Sequence, residues 1–330
     1  MSLSKNSFGY ADELFGFPRI PDEHRENSRF PVLTDLSENV PERDRAYVFR
    51  KEHLKVMQVW ACGNEKNVML NGETGTGKTT LIEQLASRLN WPVFPVGCHG
   101  KMEFPEFVGR ITLKTDGSTG WADGPLIAAM RIGGILLLDE INMLDPETAG
   151  GLNSALQSKV FTIPDTGEVV KAHPNFRIAA TGNAIDGVGK GAYRGTKTQN
   201  IALLGRFTLG IRLKYMSVAD EVVMLTGKAP GIHPKVANYL AEIADMARKS
   251  AAEGALSAPL SPRETISAAN RLVSYSGNLT DDNALQAQCK GMRDSLENTF
   301  LFRWGPDDCS EFLRAATSVA SRLGLPITLE

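Results

Sequence analysis

The 330-residue sequence is short of the residues that build metal centres and disulfide frameworks. Its four cysteines, Cys62, Cys98, Cys289 and Cys309, form no CxxC pair, which excludes a zinc knuckle or a disulfide scaffold and fits a reducing compartment. Cys98-His99 has no second ligand pair, and His24, His53, His173 and His233 lie on unrelated segments without ligand spacing. No stretch approaches about 18 uninterrupted apolar residues, so no membrane span is expected. Asp12 and Glu13 interrupt the first apolar stretch, unlike a signal peptide. A basic excess is missing too: 36 Lys+Arg face 38 Asp+Glu, a net charge of -2, with no global pull toward nucleic acid. There are no internal repeats, no low-complexity tract and no Gly-x-Ser-x-Gly elbow. The expectation is a soluble, cytoplasmic protein working away from membranes.

What is present is ordinary in bulk, 42% hydrophobic and 22% charged, and long enough for a large and a small domain with a core in each. Residues 1–45 are polar with short apolar patches such as Leu14 to Phe17, predicting an extended N-terminal arm that docks on a neighbouring surface. From Ala46 to about Gly63 an amphipathic helix carries Val48, Leu54, Val56, Met57 and Trp60. Apolar strands then alternate with helices. Asn67–Leu70, Val93–Val96, Ile135–Leu138, Phe176–Ala180 and about 208–213 are the strands, and 146–158 is a helix entered through Pro146. Alternation around turn residues predicts hairpins at 111–125 and 160–171. Beyond about Ser217 helical periodicity takes over. The pattern predicts an α/β domain over 46–216 followed by a small helical domain over 217–330.

Gly72-Glu73-Thr74-Gly75-Thr76-Gly77-Lys78-Thr79 matches GxxxxGK[ST] between an apolar strand and a helix, the context this motif needs. Glycines let backbone N–H groups curl around phosphates, and the helix start adds partial positive charge. The nucleotide-binding stretch is therefore Gly72 to Thr80, with Lys78 on the β- and γ-phosphates and the Thr79 hydroxyl on Mg2+. Asp139-Glu140, after four apolar residues, fits a Walker B pair, Asp139 holding Mg2+ and Glu140 orienting the attacking water of ATP hydrolysis. Alone, an acidic strand end is common; behind a phosphate loop it is not. Asn183 closes the next apolar strand, where it either meets the hydrolytic water or γ-phosphate or is simply a turn residue.

Together these residues resemble the AAA+ ATPases, with Asn183 at the sensor 1 position. Leu137 to Asn142, the following helix with Glu147 and Leu152 to Gln157, and the two hairpins resemble the MoxR branch. Ile82-Glu-Gln-Leu-Ala-Ser-Arg-Leu-Asn-Trp-Pro92, His173 to Arg177, Thr181 to Asn183 and Ser261-Pro-Arg263 are similar to the CobS-type ATPase subunits of aerobic cobaltochelatases. The likeness runs from about residue 45 to about 275, and the 82–92 run is its most specific part because nucleotide chemistry does not demand it. Those sequences carry His before Gly-Thr-Gly and Tyr after the acidic pair; here Thr74 and Ile141 stand, as in the wider MoxR pattern.

The resemblance implies an αβα sandwich with hairpin inserts and a helical lid. It implies Arg206 as an arginine finger offered to the ATP of the adjacent subunit, hence a ring, expected to be a hexamer. It implies Arg263 as sensor 2, and a partner protein with a von Willebrand factor A domain, as CobT-like subunits have. Each arginine, taken alone, reads as a surface charge. The implied activity is ATP hydrolysis that remodels a partner, and the alternative is a nucleic-acid-associated motor or loader, which the charge balance disfavours. Trp121 is either a channel contact or an anchor for its hairpin. The Gly-rich run 187–195, with Lys190, Arg194 and Lys197 in or beside it, reads as a mobile loop.

Overall fold

The structure is a computed structural model that describes residues 6–34, 38–113, 115–157, 160–183, 203, 205–277 and 281–329. The Gly-rich run 187–195 and Lys197 lie outside them. The chain divides into two units, one of residues 1–44, 49–73 and 77–213, the other of residues 45–48, 74–76 and 214–330.

In the first unit the N-terminal segment is not extended. Strand β1 (Asn6–Tyr10) pairs antiparallel with β2 (Arg29–Leu33), and helix α1 (Ala11–Phe15) follows β1 directly. Phe15 meets Phe30 edge-on at 5.0 Å and Phe49 at 4.7 Å, all three buried. The short apolar patches look too small for a core because each supplies one or two side chains to a cluster assembled from distant segments.

Helix α2 (Lys51–Cys62) starts five residues later than the periodicity predicts, since Arg50 is extended at φ -101° and ψ 127°. Its buried residues are His53, Met57, Trp60 and Ala61. The five-stranded sheet runs β11 (Leu209–Leu213), β3 (Asn67–Gly72), β10 (Arg177–Gly182), β7 (Ile135–Asp139) and β4 (Val93–Gly97), every pair parallel. The middle strands are buried almost throughout, as their unbroken apolar runs require of a sheet covered on both faces. Helix α3 (Lys78–Leu89) follows β3.

Helix α4 (Phe104–Val108) was not evident from periodicity; its signal is the capping box of Glu103 and Glu106 around Pro105. Both predicted hairpins form, β5 (Gly109–Leu113) with β6 (Thr119–Asp123), and β8 (Val160–Thr162) with β9 (Val169–Lys171). Helix α5 (Pro125–Ile132) lies between β6 and β7, and helix α6 (Pro146–Gln157) precedes β8. Trp121 packs half-buried against the core and donates its indole N–H to Asp123 at 2.8 Å, the geometry of an anchor.

Two runs singled out for their family likeness meet inside this unit. Arg177, 3% exposed, donates to the carbonyls of Trp60 and Ala61 at 2.7 Å each, Pro174 at 3.0 Å and Phe176 at 3.1 Å. The first two are last-turn carbonyls of α2, where a cation is favoured. Burial lowers its pKa to about 10, and its guanidinium lies 5.4 Å from the Trp91 ring centroid. From the other run, Gln84 accepts from Asp44 N at 2.9 Å, Arg88 donates to Asp44 O at 2.6 Å and Asn90 donates to Leu33 O at 2.9 Å. The 82–92 run thus fastens the N-terminal segment onto α3.

The second unit holds helices α7 (Val218–Lys228), α8 (Pro234–Ala252), α9 (Pro262–Ser276), α10 (Asp281–Lys290), α11 (Met292–Thr299) and α12 (Pro306–Arg322) around Leu225, Tyr239, Leu272, Phe300 and Phe312. A buried pair braces it: Arg248 donates to both Glu221 oxygens at 2.6 and 3.0 Å, and Thr265 adds a third hydrogen bond at 3.0 Å. Among the described residues no helix is long and apolar enough to cross a membrane.

Replacing Arg177 with Leu removes a donor from the carbonyls of Trp60, Ala61 and Phe176, while the Pro174 carbonyl keeps the Lys66 ammonium at 2.8 Å. The expected loss is about 3 kcal/mol of stability, seen as a lower urea midpoint by circular dichroism. An unchanged midpoint would contradict the structural role given to that residue.

Candidate functional site

The parallel register decides which residues meet. Gly182 stands opposite Asn71, and Ala180 opposite both Met69 and Leu138, so β3, β10 and β7 end side by side. Carboxyl ends of adjacent parallel strands are where α/β sheets bind ligands.

From β3 the chain turns through Gly72–Gly77 into α3. Gly77 caps that helix in the left-handed region at φ 89°, which only glycine adopts without strain. Gly75, at φ 80°, is also sterically confined: a Cβ there would stand 2.7 Å from Ser261 Cβ. Thr76 is buried, Thr80 half-buried, and the Thr74 carbonyl accepts the Tyr215 hydroxyl at 3.0 Å.

Lys78, the first residue of α3, is 9% exposed. Its ammonium donates to the carbonyls of Gly72 and Glu73 at 2.9 Å each and to Asn183 Oδ1 at 2.8 Å. Thr79 Oγ1 donates to Asp139 Oδ1 at 2.9 Å, and Thr181 Oγ1 donates to the same oxygen at 2.5 Å. Thr181 Oγ1 also accepts the Glu140 backbone N–H at 3.0 Å. Glu140 is exposed at φ 57°, a left-handed conformation that costs a non-glycine residue about 1 kcal/mol or more unless its surroundings hold it. Thr181, together with the Met143 N–H on the Glu140 carbonyl at 2.8 Å, does the holding. Asn142 Oδ1 accepts the Asn183 N–H at 3.4 Å.

Nearby groups feel this charge. Burial, then Asp139, raises the pKa of Glu83 on α3. Burial, then Asp139 and Glu140, pushes the Cys98 thiol up to about 12, so it is neutral at ordinary pH and no nucleophile.

A buried ammonium, a hydroxyl and a carboxylate thus converge at one helix N-terminus. The set fits a polyphosphate with a hard divalent cation, which takes oxygen ligands from hydroxyl and carboxylate and keeps several waters. Of the predicted residues the structure brings Gly72, Glu73, Lys78, Thr79, Asp139, Glu140 and Asn183 together. It does not bring Arg206 there. Arg206 precedes β11, half-buried, and since Leu209 pairs with Val68 while Leu213 pairs with Gly72, it stands at the opposite end of the sheet. Arg263 is exposed in the first turn of α9, in the second unit. Thr181 and Asn142 were given no role by motif spacing. The available signal was a hydroxyl ending a fully buried strand, which needs a partner to be tolerated.

Residues 67–207 match the AAA domain of the dynein-related subfamily. The aerobic cobaltochelatase subunit CobS of a Sinorhizobium species is 32% identical over 250 residues, 72% of this chain and 74% of CobS. An uncharacterised protein of Staphylococcus haemolyticus is 41% identical over 156 residues, 46% of this chain; the match spans 56% of that relative, little more than half its length. The solved structure of a proposed ATPase from Cytophaga hutchinsonii aligns with a TM-score of 0.43 at 14% identity, covering 82% of this chain and 89% of that one.

Thr181→Val keeps the shape of the side chain and removes both of its hydrogen bonds. Nucleotide turnover should fall about 10²-fold, with nucleotide affinity nearly unchanged, because only the placement of Asp139 and Glu140 is disturbed. Steady-state hydrolysis beside titration of a fluorescent nucleotide checks this, and undiminished turnover would refute it.

Proposed function

Because the chain belongs to the AAA+ ATPases, in the group that includes CobS, we propose that it hydrolyses ATP within a ring and uses the turnover to remodel a partner protein. The observation that carries this is the convergence of Lys78, Thr79, Asp139 and Asn183 within hydrogen-bond reach. Lys78 and the N–H groups of Gly75 to Thr80 grip the phosphates, with the start of α3 adding its dipole. Asn183, already on the Lys78 ammonium, holds the γ-phosphoryl or the attacking water. Glu140, turned outward by its left-handed backbone, orients that water. Mg2+, for which Thr79 and Asp139 supply the oxygen donors, neutralises charge on the phosphates when bound.

Arg206 is the piece that makes the active unit larger than one chain. β3 alone spans about 17 Å, so an arginine at its far end serves a neighbour's nucleotide and not its own. A group offered in trans by every copy implies a closed ring, and a hexamer is the stoichiometry we propose. Arg263, from the helical unit, is proposed as the second charge on the γ-phosphate. The partner is proposed to be a protein with a von Willebrand factor A domain. CobS is by name a subunit of a cobaltochelatase; Thr74 and Ile141 leave the present client open to other metal-centre or enzyme-activation tasks.

Arg206→Ala should bind ATP as the parent does and lose about 10³-fold in turnover, whereas Lys78→Ala should lose binding itself. Parent turnover per chain should also drop on dilution as rings dissociate. Full turnover by Arg206→Ala, or by single chains at any dilution, would remove the case for a shared site.

A further inference from the structure

Asn67 opens β3, at the end of the strand opposite the phosphate loop, and is 8% exposed. Its side-chain amide spends both hydrogens on main-chain carbonyls, Leu156 O and Arg206 O, at 3.0 Å each. Its own Oδ1 is buried and accepts no hydrogen bond among the described residues. A buried amide that leaves its acceptor unmatched costs stability, and an apolar residue would fill the start of a core strand without that cost. What the amide provides in return is placement of Arg206.

We infer that Asn67 is a positioning residue for Arg206, clamping the arginine offered to the neighbouring nucleotide onto the strand that carries this chain's own phosphate loop. The inference rests on the reading of Arg206 as a finger in trans.

Three features support it. Arg206 lies in a short turn, its N–H bonded to Leu203 O at 3.1 Å, so a fixed carbonyl orients the whole residue. β3 lies between β10 and β11, paired in parallel with each, and cannot shift without both. Leu156 lies in the last turn of α6, the helix that begins six residues after Glu140, so the same amide ties the far end of that helix to the finger. One strand then joins two nucleotide sites, its own at Gly72 and the neighbour's through Asn67. A displacement at one site reaches the next through a strand rather than a loop. Neither Asp nor Leu could take this place, since neither side chain donates a hydrogen bond.

The test compares Asn67→Leu with Arg206→Ala, each alone and each mixed with Lys78→Ala chains, whose own site is dead but whose Arg206 is intact. Alone, Asn67→Leu should bind a fluorescent ATP analogue within about threefold of the parent and turn over about 10²-fold more slowly. Mixing with Lys78→Ala should restore turnover to both variants, because each then receives a correctly placed arginine from its neighbour. If Asn67→Leu loses binding and turnover together and mixing rescues only Arg206→Ala, Asn67 is merely structural and the inference fails. If Arg206→Ala alone keeps full turnover, the finger reading falls first and this inference with it. Should Asn67→Leu not fold, Asn67→Ser, whose hydroxyl serves one carbonyl at most, carries the same comparison with a smaller loss.

Discussion

Everything at the candidate site depends on three parallel strands ending in register. The alignment of β3, β10 and β7 sets Lys78 beside Asn183 and Thr79 beside Asp139. None of these pairs is close in sequence: 105 residues separate the first and 60 the second. A slip of one residue in β10 would turn Thr181 to the other face and break its bonds to Asp139 and the Glu140 amide. The sheet is fully buried where this matters, so the alignment is held by the apolar core and not by the polar groups that use it.

Motifs with a backbone mechanism were legible without coordinates. The phosphate loop, the acidic strand end and Asn183 announce themselves because glycine conformations and strand termini leave local marks. The strands and both hairpins were readable for the same reason, through apolar runs and turn residues. Thr181, Asn142 and Asn67 were not, because each acts through partners at least 41 residues distant and belongs to an unremarkable residue type. The N-terminal segment reads as an extended arm because its burial is collective: Phe15, Phe30 and Phe49 form a core only once three segments meet.

The family-specific runs gain a physical meaning. Gln84, Arg88 and Asn90 hold the N-terminal segment on α3, while Trp91 faces the buried Arg177 that closes α2. These contacts brace the helix that starts at Lys78 and the strand that carries Thr181. Sequence likeness outside the nucleotide motifs therefore marks the support of the site, which explains how it can be strong where phosphate chemistry makes no demand. Arg131 gives the two hairpins a similar tie, donating to Asp123 and Glu168 at 2.7 Å each.

Thr79 and Asp139 are proposed to form, beside Lys78, one oxygen-donor set for a nucleotide-bound divalent cation. Mn2+ in place of Mg2+ makes that visible by electron paramagnetic resonance. Titrated with ATP, the parent protein should immobilise one Mn2+ per chain, and Asp139→Asn should weaken that binding about tenfold or more while the protein stays folded. Unaltered Mn2+ binding by Asp139→Asn would place the cation elsewhere and contradict the site.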